Sequence, residues 1–266
     1  MTDEPTPRTP TEIDGIAEDW VTTLADLDPT VATWIGIPGR LDEYEDLSPA
    51  GHAKVIEAVK GVLARLETAT VVDDVDWVTK TDLTNELTLD LESDAAGLWM
   101  RDVNVIASPA QGIRDILDLM PTDTEQNWSD IAGRLINLPG AIDGYIETLR
   151  LGIEKGITPA KRQVREVVDQ ARKHGADDGF FHNFTGAASL AEERAIPDSL
   201  KAELAKGATV SAAAYEKLAS FLTDELLPAA QEQDGVGREI YALQSRRFLG
   251  AKIGRASCRE RVYSNV

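Results

Sequence analysis

Apolar residues recur every three or four positions along most of the chain, which is the spacing that lines one face of an α-helix. The segment 142–153 shows it with Ile142, Tyr145, Ile146, Leu149 and Ile153. Only two short stretches, 30–38 and 69–78, are rich in β-branched residues, and helical patterns flank both. The pattern therefore predicts an all-α fold, a multi-helix array of roughly ten helices.

Three helix starts carry the same signature, a hydroxyl residue followed by proline, at Ser48-Pro49, Ser108-Pro109 and Thr158-Pro159. The hydroxyl can cap free backbone N–H groups, and proline suits the first helical position because its missing N–H needs no acceptor there. Together with the periodicity, these starts predict helices over 12–27, 48–67, 76–93, 109–120, 124–137, 139–155, 159–174, 187–194, 197–206, 209–232 and 236–250.

The stretch 173–188, KHGADDGFFHNFTGAA, breaks the pattern with glycines and aromatic residues. It predicts a long loop between two helical groups. His174 and His182 flank two aspartates there, which allows a cation site, but a solvated loop is favoured.

Composition narrows the classes of partner. The 266 residues carry a net charge of −19, and phosphate binding needs a basic surface, so nucleic acid is excluded as a partner. No apolar run approaches the length that crosses a bilayer, which excludes the membrane. Residues 1–11 contain three prolines and form no secretory signal, so they are expected to be a disordered acidic tail. With one cysteine and no export signal, the cytoplasm is the expected location.

Local motifs reveal no chemistry of their own. The chain lacks an HExxH zinc pair, a G-x-S-x-G nucleophile, an S-x-x-K motif and a phosphate-binding P-loop. Asp82, Glu86 and Asp90 follow one helical stripe, where like charges repel. A hydrated face is favoured over an acid/base or cation site, and an arginine from another helix is expected to compensate the charges.

Arg246 and Arg247 form the one compact basic spot in the helical body. One of them is expected to pair with an acid while the other reaches solvent. A role in binding a substrate carboxylate is the alternative, and it makes these two arginines the candidate substrate-binding residues.

Four stretches carry a resemblance to a known family. They are LSPAGHAKVIEAVKGVLARLE (47–67), NVIASPAQGIRDILDLMPTDTEQNW (104–128), RLINLPGAIDGYIETLRLGIEKGITPAKRQVREVVDQAR (134–172) and YALQSRRFLGAKI (241–253). In order and spacing, they resemble the N-terminal portion of the bacterial domain-of-unknown-function family 885. The resemblance covers residues 12–253, which are expected to form an incomplete helical domain.

The resemblance implies a larger zincin-like peptidase that binds zinc through a His-Glu pair followed by Pro-Gly-His-His. None of those residues stands in this chain, so it implies no catalytic or metal-binding residue and no cofactor here, while zinc is expected for the full-length protein. The chain would be an inactive N-terminal fragment. Its partners would be the missing C-terminal half and, in the full-length form, a peptide-like substrate. The alternative is a non-enzymatic helical interaction module.

Residues 254–266 differ from the rest of the chain. They hold three arginines, one glutamate and Cys258, the single cysteine of the protein. The resemblance stops at Gly254, and IGRASCRERV looks like translated sequencing adapter. These residues are expected to be a non-native tail without functional meaning.

Overall fold

Capped, amphipathic segments build an all-α fold. The computed structural model describes residues 8–190 and 196–250. Thr11 caps the first helix and accepts from the Asp14 N–H, and Ser48 caps the third, accepting from the Gly51 N–H. The helices are α1 (Glu12–Leu27), α2 (Pro29–Ile35), α3 (Pro49–Thr68), α4 (Asp74–Ala95), α5 (Pro109–Asp115), α6 (Glu125–Lys155), α7 (Lys161–Gly175), α8 (Phe180–Leu190), α9 (Asp198–Phe221), α10 (Leu227–Ala229) and α11 (Gly237–Leu249), with 3₁₀ turns at Leu98–Arg101 and Ile116–Leu119.

Helix α2 falls in a stretch that the sequence offered only as weak strand evidence. Asp28 caps it by accepting hydrogen bonds from the Thr30 and Val31 N–H groups, and Pro29 occupies its first turn. This is the cap-and-proline signature of the predicted starts, with an aspartate in place of the hydroxyl residue. The signal was present in the sequence.

Helix α8 shows that the prediction of a long loop over 173–188 was wrong. Phe181 is buried and lies 5.2 Å from the Tyr215 ring, while Phe180 and Phe184 stack at 5.2 Å. Aromatic packing against α9 therefore makes helical a segment whose glycines suggested a loop. The predicted helix over 187–194 overlaps the end of α8, and residues 191–195 lie outside the described part of the chain.

The sequence predicts a break between the helices 124–137 and 139–155 and another between 197–206 and 209–232. Neither break is present, because tertiary contacts stabilise a continuous helix at both places. Helix α6 runs through Pro139, which cannot donate to the Leu135 carbonyl, and Ser211 Oγ of α9 donates to that oxygen instead at 2.9 Å. Helix α9 runs through Gly207, where a Cβ would lie 2.7 Å from the Cβ of Leu135. The glycine permits close packing of α6 and α9 and does not end the helix.

One predicted start lies two residues from the observed one. Helix α7 begins at Lys161, and Thr158 does not cap it. The Thr158 hydroxyl donates to the Ala229 carbonyl at 3.2 Å, and the Gln231 N–H donates to the Pro159 carbonyl at 2.9 Å. Residues 158–160 are thus tied to the segment that follows α10.

The apolar faces form two cores. The larger one contains α5 to α9, with Leu135, Leu149 and Leu218 fully buried, and the smaller one joins α1, α3 and α4 around Ile13 and Leu66. The 3₁₀ turn Leu98–Arg101 connects α4 to the segment that leads into the larger core. None of the described helices combines the length and the apolar character that crossing a bilayer requires.

Candidate functional site

Three neighbouring cavities share Trp99, on the 3₁₀ turn between the two cores. The outer groove, of about 520 Å³, extends from Trp99 toward α7 and α11. A middle cavity of about 240 Å³ shares Trp99 and Asp102 with it, and an inner cavity of about 250 Å³ shares Trp99 and His52 with the middle one. Concave sites with apolar walls and a few convergent polar groups are the usual places for ligands.

Close packing fixes the 3₁₀ turn that presents Trp99. Gly97 precedes it with φ +67°, a conformation that favours glycine. Met100 is buried, and Gly152 of α6 faces its backbone so closely that an added Cβ would overlap the Met100 carbonyl oxygen. Trp99 and Arg101, on either side of Met100, both line the outer groove.

Helix α6 also holds the segment 36–48, which borders the middle cavity. Asn137 Nδ2 donates to the Asp42 carbonyl at 2.9 Å, and Thr148 Oγ1 donates to the Leu47 carbonyl at 2.7 Å. At Gly144 a Cβ would lie 2.9 Å from the Ser48 nitrogen. These contacts fix the backbone on both sides of Glu45, whose side chain lines the middle cavity.

Two carboxyl groups of the middle cavity, Glu45 and Asp102, have raised pKa values, while the hydrogen bond from the Ser48 hydroxyl lowers the pKa of the third, Asp46. Burial, followed by the nearby charge and hydrogen bond of Asp28, raises the pKa of Glu45 to about 8. Asp102 is accessible through the groove, yet the surrounding protein raises its pKa to about 6 by desolvation, against an opposing hydrogen bond from Asn104. At neutral pH the cavity therefore holds a protonated Glu45 beside an ionised Asp102.

His52 and Trp99 form the wall between the middle and inner cavities. Their rings stack with centroids 4.0 Å apart and planes 17° from parallel. His52 Nε2 lies 2.9 Å from Asp94 Oδ1, which fixes the imidazole against the indole. The pair closes the middle cavity on one side.

The pKa of Glu45 leads to a prediction about stability. The folded protein keeps a proton on Glu45 that the unfolded chain releases above its ordinary pKa of 4.5, so the free energy of unfolding falls as the pH rises from about 4.5 to about 8. We expect Glu45→Gln to remove the contribution of Glu45 to this slope, leaving the fall below about pH 6 that comes from Asp102, and to be more stable than the wild type at pH 9 by about 1–2 kcal/mol. Urea unfolding at pH 5 and pH 9 measures the effect.

Glu43→Gln is the matched control in the same segment. The hydrogen bond from Arg40 lowers the pKa of Glu43, so this substitution does not remove a slope between pH 5 and 8. Equal pH profiles for Glu45→Gln and the wild type would contradict the assignment of the buried proton to Glu45.

Arg246 and Arg247, the candidate substrate-binding residues, lie on α11 and contact α4. Arg246 pairs with Glu92, while Arg247 pairs with Asp90 at 2.6 Å and with Glu86 at 3.6 Å. The expected compensation of the acidic stripe by an arginine is confirmed. Both arginines pair, and not one as expected, because α11 packs along α4 and both long side chains reach its acids. Their role in substrate binding stays a prediction.

The described residues do not fit a zinc ion. Among residues 8–190 and 196–250, no three His, Cys, Asp or Glu side chains come together as metal ligands. His52 is held by Asp94 and Trp99, and His174 packs edge-on against Phe180 and Tyr215. The expectation of zinc concerns the full-length protein and stays a prediction.

Sequence reasoning missed the residues that meet at the cavities. It did not single out His52, Trp99, Glu45 or Asp102. One signal was available: Trp99 stands two residues after Gly97, just beyond the helix predicted over 76–93, and tryptophan is on average a highly buried residue.

A comparison with protein families decides the membership of the chain. Residues 29–262 match the model described as "Bacterial protein of unknown function (DUF885)". The chain belongs to this family. The match extends into residues 254–262, which lie outside the described part of the chain, as do Cys258 and the rest of the tail; the non-native origin of that tail stays a prediction.

A solved structure shares the fold. The DUF885 chain superposes on the "putative lipoprotein from Colwellia psychrerythraea" with a TM-score of 0.71 and 14% sequence identity. The superposition covers 93% of this chain and 48% of the other, so the chain spans about half the length of that protein. At this identity the likeness shows the fold alone. No curated protein matches the chain.

Proposed function

We propose that the chain is the N-terminal helical part of a larger peptidase-like hydrolase, in which it forms one wall of the channel that receives a peptide-like substrate. The observation that carries the proposal is the row of three cavities that share Trp99. The outer groove alone, of about 520 Å³, has room for a short peptide-like ligand. The outer groove contains the amide side chains of Gln163 and Gln244, and such groups can pair with both the donors and the acceptors of a peptide backbone.

The chain's own residues would bind and orient the substrate without performing the chemistry. Trp99 offers an apolar surface for a side chain, and the Asp102 carboxylate can accept a hydrogen bond from the ligand. Zinc, if the longer protein holds it, would polarise the scissile carbonyl and activate water there. No step of that chemistry is assigned to a residue of this chain.

The partner in this proposal is the other half of the same protein. About half of the structural neighbour lies outside the matched part. Helix α11 has no buried residue, and Tyr241, Phe248 and Leu249 expose 67%, 83% and 51% of their surface. An apolar helix face of this kind suits a covering domain. We do not propose a nucleic acid as a partner, because the protein carries a net charge of −19 and would repel the phosphates.

The compartment belongs to the same proposal. The sequence favoured the cytoplasm, whereas the structural neighbour is described as a lipoprotein. We propose that the protein works in an aqueous compartment, which is either the cytoplasm or the water-filled side of the cell envelope. Cell fractionation distinguishes the two locations: recovery with the soluble cytoplasmic proteins supports the first, and recovery with the cell envelope supports the second.

The function is tested by comparing this chain with a form extended at its C-terminus along the gene. Zinc content and the hydrolysis of a peptide library are measured for both. We expect stoichiometric zinc and turnover in the extended form only. Turnover by the 266-residue chain would contradict the proposal that this part binds the substrate and that the rest of the protein performs the chemistry. An extended form with neither zinc nor turnover would favour the alternative, a helical interaction module without catalysis.

A further inference from the structure

Arg101 is the arginine that lines the outer groove, together with Trp99. Its guanidinium makes no ion pair and no hydrogen bond with any residue in the described part of the chain. Arg150, outside the groove, pairs with Glu225 at 2.7 Å, and the two adjacent arginines of α11 pair with acids of α4. Arg101 is therefore a cation of the groove wall that no carboxylate of the described residues neutralises.

Arg101 is partly removed from water, so the lack of a carboxylate partner costs free energy. The residue is half-buried, and desolvation lowers the pKa of its guanidinium with no carboxylate opposing the effect. The backbone on its N-terminal side is fixed by the buried Met100 against Gly152. The turn therefore holds a cation at the wall of the groove and supplies no partner for it.

We propose that Arg101 binds a carboxylate of the ligand that occupies the outer groove, a free C-terminus or an acidic side chain. This rests on the proposed peptide-like substrate and assigns its charged end. The planar guanidinium matches a carboxylate with two parallel hydrogen bonds. Asp102 and Asp234 line the same groove and repel a doubly charged phosphate more strongly than a single carboxylate.

Binding a substrate carboxylate is the role that the sequence analysis considered for Arg246 and Arg247. Those residues are paired with α4, so binding a carboxylate would require each to give up a partner. Arg101 gives up only water. Gln244 in the same groove offers an amide to the peptide groups next to the carboxylate, and so does Nε2 of Gln163, whose Oε1 accepts from the Val105 N–H.

The test measures binding of three probes by NMR titration of the Trp99 indole and by calorimetry. The probes are N-acetyl-trialanine with a free carboxylate, the same peptide as its C-terminal amide, and acetate. We expect the acid to bind the wild-type chain about tenfold more tightly than the amide. Arg101→Gln should reduce that ratio to about one, and Arg101→Lys should retain part of it.

Arg150→Gln is the matched control, because it removes an arginine that is paired with Glu225 outside the groove. It should leave the ratio unchanged, and thermal unfolding of each variant confirms that the fold is retained. Equal binding of acid and amide to the wild type, or a preference that persists in Arg101→Gln, would overturn the role of Arg101 while leaving peptide binding in place.

The probes also separate the inference from the function on which it rests. Acetate binding that depends on Arg101, with no binding of either peptide, would support the carboxylate site and contradict the peptide-like substrate. Absence of binding by all three probes would overturn both.

Discussion

Replacing Gly152 by alanine is expected to lower the free energy of unfolding by about 3 kcal/mol. The new Cβ would overlap the Met100 carbonyl oxygen and lie 2.7 Å from the Ile157 carbonyl oxygen. Both obstacles are backbone atoms, so no side-chain rotation relieves the overlap. The turn that carries Trp99 and Arg101 must shift, and peptide binding should weaken together with stability. Urea unfolding and the peptide titration measure the two effects.

Gly140 provides the control on the same helix. It is exposed, and nothing lies within 4 Å of the position where its Cβ would be. Gly140→Ala should therefore stabilise α6 by about 0.5–1 kcal/mol. If the two alanine variants had similar stabilities, the tight contact between α6 and the 3₁₀ turn would be refuted.

Replacing Arg134 by alanine is expected to cost about 3 kcal/mol, while Arg134→Met should change stability by no more than about 1 kcal/mol. Arg134 is fully buried on α6 without a salt bridge. Its Nη1 donates to Thr33 Oγ1 at 3.1 Å, its Nη2 lies 3.5 Å from the Arg40 carbonyl, and its Nε has no partner. Alanine leaves a cavity. Methionine fills much of the volume, and removing the desolvated charge offsets the lost hydrogen bonds.

The same two variants probe the segment 36–48, which borders the middle cavity. Both lose the contact with the Arg40 carbonyl, so amide hydrogen exchange near Arg40 should become faster in both, including the methionine variant of near-normal stability. The hydrogen bond from Thr148 to Leu47 remains and should keep the backbone after Glu45 protected. Similar losses of stability in the alanine and methionine variants would show that the cavity is not the main cost.

Local patterns predicted most helices because their causes are local. The apolar periodicity and the cap at Ser48 indicated helices near the observed α1 and α3. The cap at Asp28 followed the same rule and was overlooked. The continuity of α6 through Pro139 could not be predicted, because the group that satisfies the Leu135 carbonyl is Ser211, which lies far away in the sequence.

The candidate site was less predictable for the same reason. Glu45, His52 and Trp99 come from three separate segments, and no spacing rule links them. The spacing of Glu86 and Asp90 on one helix face predicted an arginine partner, because two carboxylates one turn apart repel each other and a cation offsets that repulsion. Sequence reasoning could not place Arg101 in the groove without a carboxylate partner, because both its position and its lack of a partner depend on the folded chain.

Photo-crosslinking tests most directly the central claim that the groove at Trp99 receives a peptide-like ligand. A short peptide that contains benzoylphenylalanine is irradiated with the 266-residue chain, and the labelled residues are located by mass spectrometry. The account predicts labels in segments 98–104 and 240–244, which line the outer groove, and their loss when unlabelled peptide competes. Labels that resist competition, or that fall on the exposed apolar residues Val75, Trp77 and Val78 of α4, would contradict it.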